Sequence, residues 1–264
     1  MIGQVKTCPT AIIIMKKKII IRLIAILIIL AACVALTLFG SGILVRKKKP
    51  EAVPAKYRVE LVKAFPFTEE NALKEWEEKI FKNKVVYRIE KAADLSFVRA
   101  NATDAASALY YRIRMDAKAK HPAVSWKWHV EKFPAKRLPE NLETQDEDDF
   151  AARVYVIFPA FFFTNSKVLE YIWAEKLPVG TIGTSPYSEN IKIFVLKSGA
   201  ANPGEWFAED RDIMEDYRKA FGRSPEHDIG AVAFMTNTEH TGSSADAVYD
   251  EINLGYKENG REGP

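Results

Sequence analysis

The sequence predicts a mainly β chain: a two-layer antiparallel β-sandwich with one or two short helices, preceded by a single transmembrane helix. Three observations carry this expectation. Val124-Ser125-Trp126-Lys127-Trp128-His129-Val130 alternates strictly. Val124, Trp126, Trp128 and Val130 share one face and the polar residues the other, which is the period of a strand lying on a core. From position 84 onward, short apolar runs recur between polar turns, without the regular strand–helix alternation of a doubly wound fold. Leu23 to Val45 contains no charged residue; as a helix it would measure roughly 34 Å, enough to cross a hydrocarbon core of about 30 Å.

In chain order, residues 1–18 are a basic flank, 19–45 the anchor, 46–66 a second basic flank and linker, and 67–264 the globular domain. Met15 before Lys16-Lys17-Lys18 resembles a natural start, which leaves open whether residues 1–14 are translated. Lys16–Lys18 lie on one side of the anchor and Arg46-Lys47-Lys48-Lys49 on the other. Charge alone therefore does not orient it, and the expectation of an external domain rests on long domains translocating largely regardless of flanking charge. The implied location is a bacterial inner membrane, with the domain facing the periplasm or exterior. Two alternatives remain. Leu30-Ala31-Ala32-Cys33 resembles a bacterial lipobox, in which Cys33 would be lipidated, and the basic-then-apolar order also fits a cleaved signal peptide.

Within the domain, Thr68 is placed to cap a short helix with Leu73, Trp76, Ile80 and Phe81 on one face. Strands are expected at 85–89, 95–100, 108–114, 124–130, 152–158, 191–196, 229–235 and 247–254. Asp212 and Glu215 have capping-box spacing, followed by the apolar stripe Ile213, Met214, Tyr217, Ala220 and Phe221, and Gly222 ends that helix. The stretch from Gly180 to Pro186 reads as a flexible turn.

Composition narrows the function. The chain holds 38 Lys and Arg against 35 Asp and Glu, but residues 1–49 carry nine of the bases and none of the acids. The globular part is thus net acidic and repels phosphate backbones, so no nucleic-acid partner is expected. Both cysteines, Cys8 and Cys33, precede the domain, which has neither disulfide nor thiol chemistry of its own.

Several segments together resemble one bacterial family, the numbered domain of unknown function 3047. They are Trp126 to Val130, the acidic loop leading into Ala152-Arg153-Val154-Tyr155-Val156, Trp206 with Arg211-Asp212, Asp216 to Gly222, and Met235 to Gly242 followed by Tyr249-Asp250-Glu251-Ile252. The resemblance spans roughly Leu73 to Leu254 and implies an exported envelope protein. The family's form of the 235–242 segment is richer in Asp, and here Asn237 and Glu239 occupy part of it. The closing strand Ala247 to Leu254 is also similar to the last strand of jelly-roll carbohydrate-binding modules, which implies a jelly-roll-like sandwich.

The candidate site residues are read against simpler roles. Trp126 and Trp128 suit a stacking platform for sugar rings or, as same-face aromatics on a central strand, the core. Trp206 and Tyr187 sit in loop-like settings and suit a ligand surface better. The run Asp146 to Asp149 offers oxygens to calcium through Asp148, but lacks the spaced pattern of a calcium loop and reads equally as a solvated turn. Asp149 alternatively pairs with Arg153. Glu239, His240, Asp246 and Asp250 form a second oxygen-rich group, read either as a ligand or calcium site or as a structural hydrogen-bonding corner, with Asp250 a metal candidate alongside Asp148. Asp149 and Asp250 are the pair to test for glycoside hydrolysis. The four histidines show no zinc spacing, and no nucleophile elbow occurs. The leading expectation is a non-catalytic domain binding a glycan or an envelope protein. A structural or assembly protein without a small ligand and a membrane-tethered glycan-active hydrolase are the alternatives.

Overall fold

A computed structural model describes residues 59–92, 95–118, 120–202 and 205–258. The expected anchor at 19–45, with Cys33, lies outside these residues. Among the described residues no helix is long and apolar enough to cross a membrane. They contain the strands β1 (Val59–Phe65), β2 (Glu77–Lys82), β3 (Val86–Ala92), β4 (Leu95–Thr103), β5 (Ala106–Met115), β6 (Pro122–Lys132), β7 (Ala152–Phe158), β8 (Lys167–Ala174), β9 (Ile182–Ser185), β10 (Ser188–Ser198), β11 (Phe207–Asp212), β12 (Ile229–Asn237) and β13 (Ser244–Lys257), and the helix α1 (Ile213–Phe221).

The strands form two sheets. The six-stranded sheet runs β11-β6-β13-β4-β3, with β1 also paired to the long β13. The seven-stranded sheet runs β2-β5-β12-β7-β8-β10-β9. Pairing is antiparallel except between β8 and β10, which are parallel. The chain is therefore mainly β with two sheets, as the alternation requires. Val98, Ala100, Trp126, Trp128 and Tyr249 from the first sheet meet Val154, Val156, Leu169, Tyr171, Trp173 and Phe234 from the second in one apolar cluster. The Tyr249 hydroxyl crosses the gap, donating to Met235 O at 2.6 Å and accepting from Arg153 N at 3.2 Å.

Helix α1 closes one end of the sandwich. The Asp212 carboxylate accepts from Glu215 N at 2.9 Å, and Gly222 ends the helix in the left-handed region at φ 70°. These are the cap and stop its sequence predicts. Tyr217 packs edge-on against Phe158, ring centres 4.9 Å apart. The same end gathers Val59, paired with Lys257, and Pro122, paired with Tyr256. Met115, paired with Ile229, and the Phe158 end of β7 also lie there. The loop joining β6 to β7 and the loop joining β12 to β13 lie at the opposite end.

Two expectations are corrected. No helix forms between Thr68 and Phe81; a single 3-10 turn at Ala72–Glu75 gives way to β2. Pairing of β2 along β5 imposes alternation, which turns Lys79 and half-buried Phe81 to the outer face of the sheet; Trp76, just before the strand, enters the core, and Ile80 is exposed at the sheet edge. The domain also starts earlier than residue 67, because β1 is hydrogen-bonded into the first sheet from Val59. Gly255 permits this: a Cβ there would lie 2.5 Å from Glu60 O. β8, β9 and β11 carry no expectation above, and β9 occupies part of the stretch read as a flexible turn.

Candidate functional site

Residues that alternate inward on β5, β7, β8 and β12 build the core, so their neighbours face outward from the seven-stranded sheet. Those outward residues line a cavity of about 200 Å³. Ala108, Ile157, Val168, Ala233 and Met235 form an apolar floor, and Phe81, Tyr110 and Tyr155 supply aromatic walls. Asp148, Arg153, Glu170, Glu239, His240 and Tyr187 make its polar part.

Arg153 organises that part. It sits on β7 between core residues Ala152 and Val154 and points to the outer face. Its guanidinium lies 2.7 Å from Asp148 Oδ1 and 2.8 Å from Glu170 Oε1, and it stacks over the Phe150 ring at 4.9 Å. All three charged side chains are buried. The nearby cation does not fully offset the loss of water around Glu170, whose carboxyl is pushed up to about 7. Since this folded value exceeds the ordinary 4.5, Glu170 contributes stability below pH 4.5 that is lost as pH rises through 7. Glu170→Gln is expected to remove this part of the pH slope, on the order of 3 kcal/mol between those limits. Denaturant melts of both proteins across that range measure the difference.

A second network holds the end of the cavity. Asn237, the last residue of β12, donates its amide to Asp148 O at 2.8 Å, Asp149 Oδ1 at 2.9 Å and Glu239 Oε2 at 2.9 Å, and accepts from Phe150 N at 3.0 Å. It thereby pins the acidic loop to the 238–242 turn. Asp149 accepts from Thr241 N and Thr241 Oγ1, both at 2.7 Å, and from His240 N at 3.1 Å. His240 Nε2 lies 3.4 Å from Glu239 and meets the Tyr187 hydroxyl. Burial pushes Glu239 upward, but the hydrogen bond and charge of His240 outweigh it and hold the carboxyl below its ordinary value. The His240 imidazole is raised in return, against its own burial. The turn carrying Tyr187 is fastened by Gln145, which donates to Pro186 O at 3.2 Å.

Of the residues singled out from sequence, Tyr187, Glu239, His240 and Asp148 meet in this cavity, with Asp149 bound directly behind it. The others lie outside it, and the expectations for Trp126, Trp128 and the Asp149–Asp250 pair are corrected. Trp126 and Trp128 are 1% and 0% exposed, face the opposite sheet and present no surface to a ligand. Trp206 packs against Phe97, centroids 5.4 Å apart, on the outer face of the other sheet. Asp246 is on that face too, paired with Arg99 at 2.9 Å. Asp250 caps a bulge there, accepting from Glu251 N at 2.7 Å, and burial pushes it up to about 7. Because Tyr249 points into the core, its neighbour Asp250 points away from the seven-stranded sheet. Asp149 and Asp250 therefore do not flank a common substrate. Arg153 pairs with Asp148 rather than Asp149.

The donor set does not suit calcium. Ligand atoms of Asp149, Glu239 and His240 lie within 4.8 Å of one another. Calcium takes six to eight oxygens, whereas this group offers two carboxylates and a nitrogen, and both Asp149 oxygens already accept N–H or O–H groups. Sequence reasoning missed Arg153, Glu170 and Tyr155 as site residues. The available signal was polarity inside apolar strands: a charge among Val168-Leu169 and Tyr171-Ile172-Trp173 requires a buried partner.

Two solved structures illustrate the similarity of the fold. The family 11 carbohydrate-binding module of the cellulosomal cellulase Lic26A-Cel5E of Clostridium thermocellum is 11% identical, with a TM-score of 0.41 over 78% of this chain and 99% of that one. The xyloglucanase domain of NopAA, a type three effector from Sinorhizobium fredii, is 10% identical, with a TM-score of 0.40 over 69% and 93%. Overlaps of this size establish neither ligand nor reaction. No curated protein matches the chain. The family model described as a protein of unknown function, DUF3047, matches residues 74–253, which take in the strands from β2 through most of β13, the Arg153 cluster and the Asn237 network. The chain belongs to the DUF3047 family.

Proposed function

We propose that this chain is a glycan-binding protein of the bacterial envelope, held at the membrane by residues 19–45, and that it takes a sugar in the groove of the seven-stranded sheet. One observation carries the reading: a single cavity combines aromatic walls with fixed hydrogen-bonding groups. A sugar ring has apolar C–H faces and a rim of hydroxyls. Tyr155, Tyr110 and Phe81 offer surfaces for the faces. Glu239, His240 and Tyr187 offer donors and acceptors for the rim, positioned in advance by Asn237 and Gln145. Convergent polar groups in a mainly apolar concavity are the usual make-up of a ligand site.

The test is a glycan array probed with the full chain in detergent, followed by titration of the best binder. Tyr155→Ala and Tyr187→Ala are each expected to weaken binding roughly tenfold or more while the melting transition stays close to that of the wild type. Absence of binding across neutral, acidic and amino-bearing polysaccharides would sink the proposal, as would unchanged affinity in both variants.

A glycan-active hydrolase is the second reading. It is favoured by Glu170, whose carboxyl keeps its proton to about pH 7 inside the groove, as a general acid must. Release of reducing ends by the wild type, abolished in Glu170→Gln, would select this reading over binding alone.

A further inference from the structure

Beyond the groove, the loop between β7 and β8 exposes apolar surface to water. Phe161 and Phe162 are 83% and 66% exposed, set edge to face with centroids 5.1 Å apart. The loop is not slack. Ala160 N donates to Ser166 Oγ at 2.9 Å, Asn165 N to Phe162 O at 2.8 Å, and Asn190 Nδ2 to Thr164 O at 2.6 Å. Its first residue, Pro159, lies so close to Gly230 that a Cβ there would meet the ring at 2.4 Å. The fold thus presents two phenyl rings on a braced tip, at a cost in solvation that an ordinary surface avoids.

The position of the tip indicates what covers it. It projects from the α1 end of the sandwich, beyond the paired residues Phe158 and Lys167. That is also the end where β1 begins, at Val59 paired with Lys257. There the Asp116 N to Tyr256 Oη bond at 2.7 Å ties the two sheets together, and the Lys257 N to His121 O bond at 2.8 Å extends the pairing of β6 with β13. The chain therefore leaves the domain toward the uncharged segment Leu23–Val45 from the end that carries the phenylalanines. Residues 46–58 alone intervene, and they can span at most about 45 Å. Lys167 and Lys192 both lie over the Phe221 ring beside the tip, at 5.2 and 6.0 Å. Exposed apolar rings beside lysines suit the headgroup–acyl boundary of a bilayer, where the rings enter the apolar side and the cations meet anionic lipid.

We infer that the Phe161–Phe162 tip inserts into the lipid headgroup region of the membrane that holds the tether, docking the domain on the bilayer by its α1 end. The inference rests on the membrane tether proposed above. Docking would fix the orientation of the groove relative to the membrane, whereas a tether by itself leaves the domain free to rotate.

The test places p-benzoyl-phenylalanine at position 162 of the full chain, reconstituted into vesicles of equal parts phosphatidylcholine and phosphatidylglycerol, and irradiates it. The same photoprobe at Leu138, which is exposed in the β6–β7 loop at the opposite end, is the reference. Lipid adducts several-fold more abundant from position 162 than from 138 are the expected result. Equal yields from the two positions, with the chain floating with the vesicles, would overturn the docking and leave the tether standing. Adducts from 162 to a second protein chain in place of lipid would also overturn it, by assigning the patch to protein contact. A chain that does not float with the vesicles would remove the tether and the docking together.

Discussion

Arg153→Ala is expected to lower the free energy of unfolding by about 3–5 kcal/mol. The guanidinium stands between Asp148 and Glu170, both buried, and its removal leaves two carboxylates without water and without a cation. The lost attraction is the smaller part of the effect; most of it is the solvation penalty that the pair no longer offsets. A triple variant, Arg153→Met with Asp148→Asn and Glu170→Gln, is expected to recover much of the loss, because no unpaired charge of this trio then remains. Denaturant melts at neutral pH decide the matter. If the single variant loses less than about 1 kcal/mol, the magnitude of an exposed pair, the carboxylates find water or protons easily and the groove is not pre-ordered as described. The pH slope of Glu170→Gln gives an independent reading of the same desolvation.

Trp126→Ala should cost a similar amount, about 3–5 kcal/mol, for a different reason. The indole packs between the sheets against Trp128 and Tyr171, with centroids 5.3 and 5.4 Å away, and truncation opens a cavity the rigid strands cannot close. Trp126→Phe is expected to cost much less. Among the described residues the indole N–H has no hydrogen-bond partner, so phenylalanine gives up volume and no polar contact. Glycan affinity of the folded fraction should not change in either variant. A selective loss of binding with an undisturbed melt would return Trp126 to the ligand surface and refute its place in the core.

The contrast between these tryptophans and Tyr155 shows how far the sequence could be read. Strict alternation around Trp126 and Trp128 made the strand legible, and the capping spacing of Asp212 and Glu215 with Gly222 made α1 legible almost to its ends. The segment 68–81 was misread because Leu73, Trp76, Ile80 and Phe81 fit a helical stripe, while β5 supplies the long-range pairing that turns 77–82 into an edge strand. Tyr187, Glu239 and Asp148 were legible as polar or aromatic residues in loops. Their meeting was not, since Asp148 and Glu239 are far apart in the chain and are brought together by the Asn237 amide and by the bonds of Asp149 to His240 and Thr241. Asp250 and Asp246 had the same local character as Glu239 and were carried to the other side of the molecule by the pleat of β13.

By itself, the sequence determined the class of this protein: a β-rich acidic domain that follows a basic N-terminal stretch with a long uncharged run, within one family. Those properties are local, written in side-chain period, cap spacing and charge. Only the tertiary structure decided which face of which sheet becomes a groove, and that Arg153, Glu170 and Tyr155 line it while the tryptophans do not. The physical reason is that alternation assigns each strand two faces without labelling either. Which face is covered depends on the strands from elsewhere in the chain that pack against it.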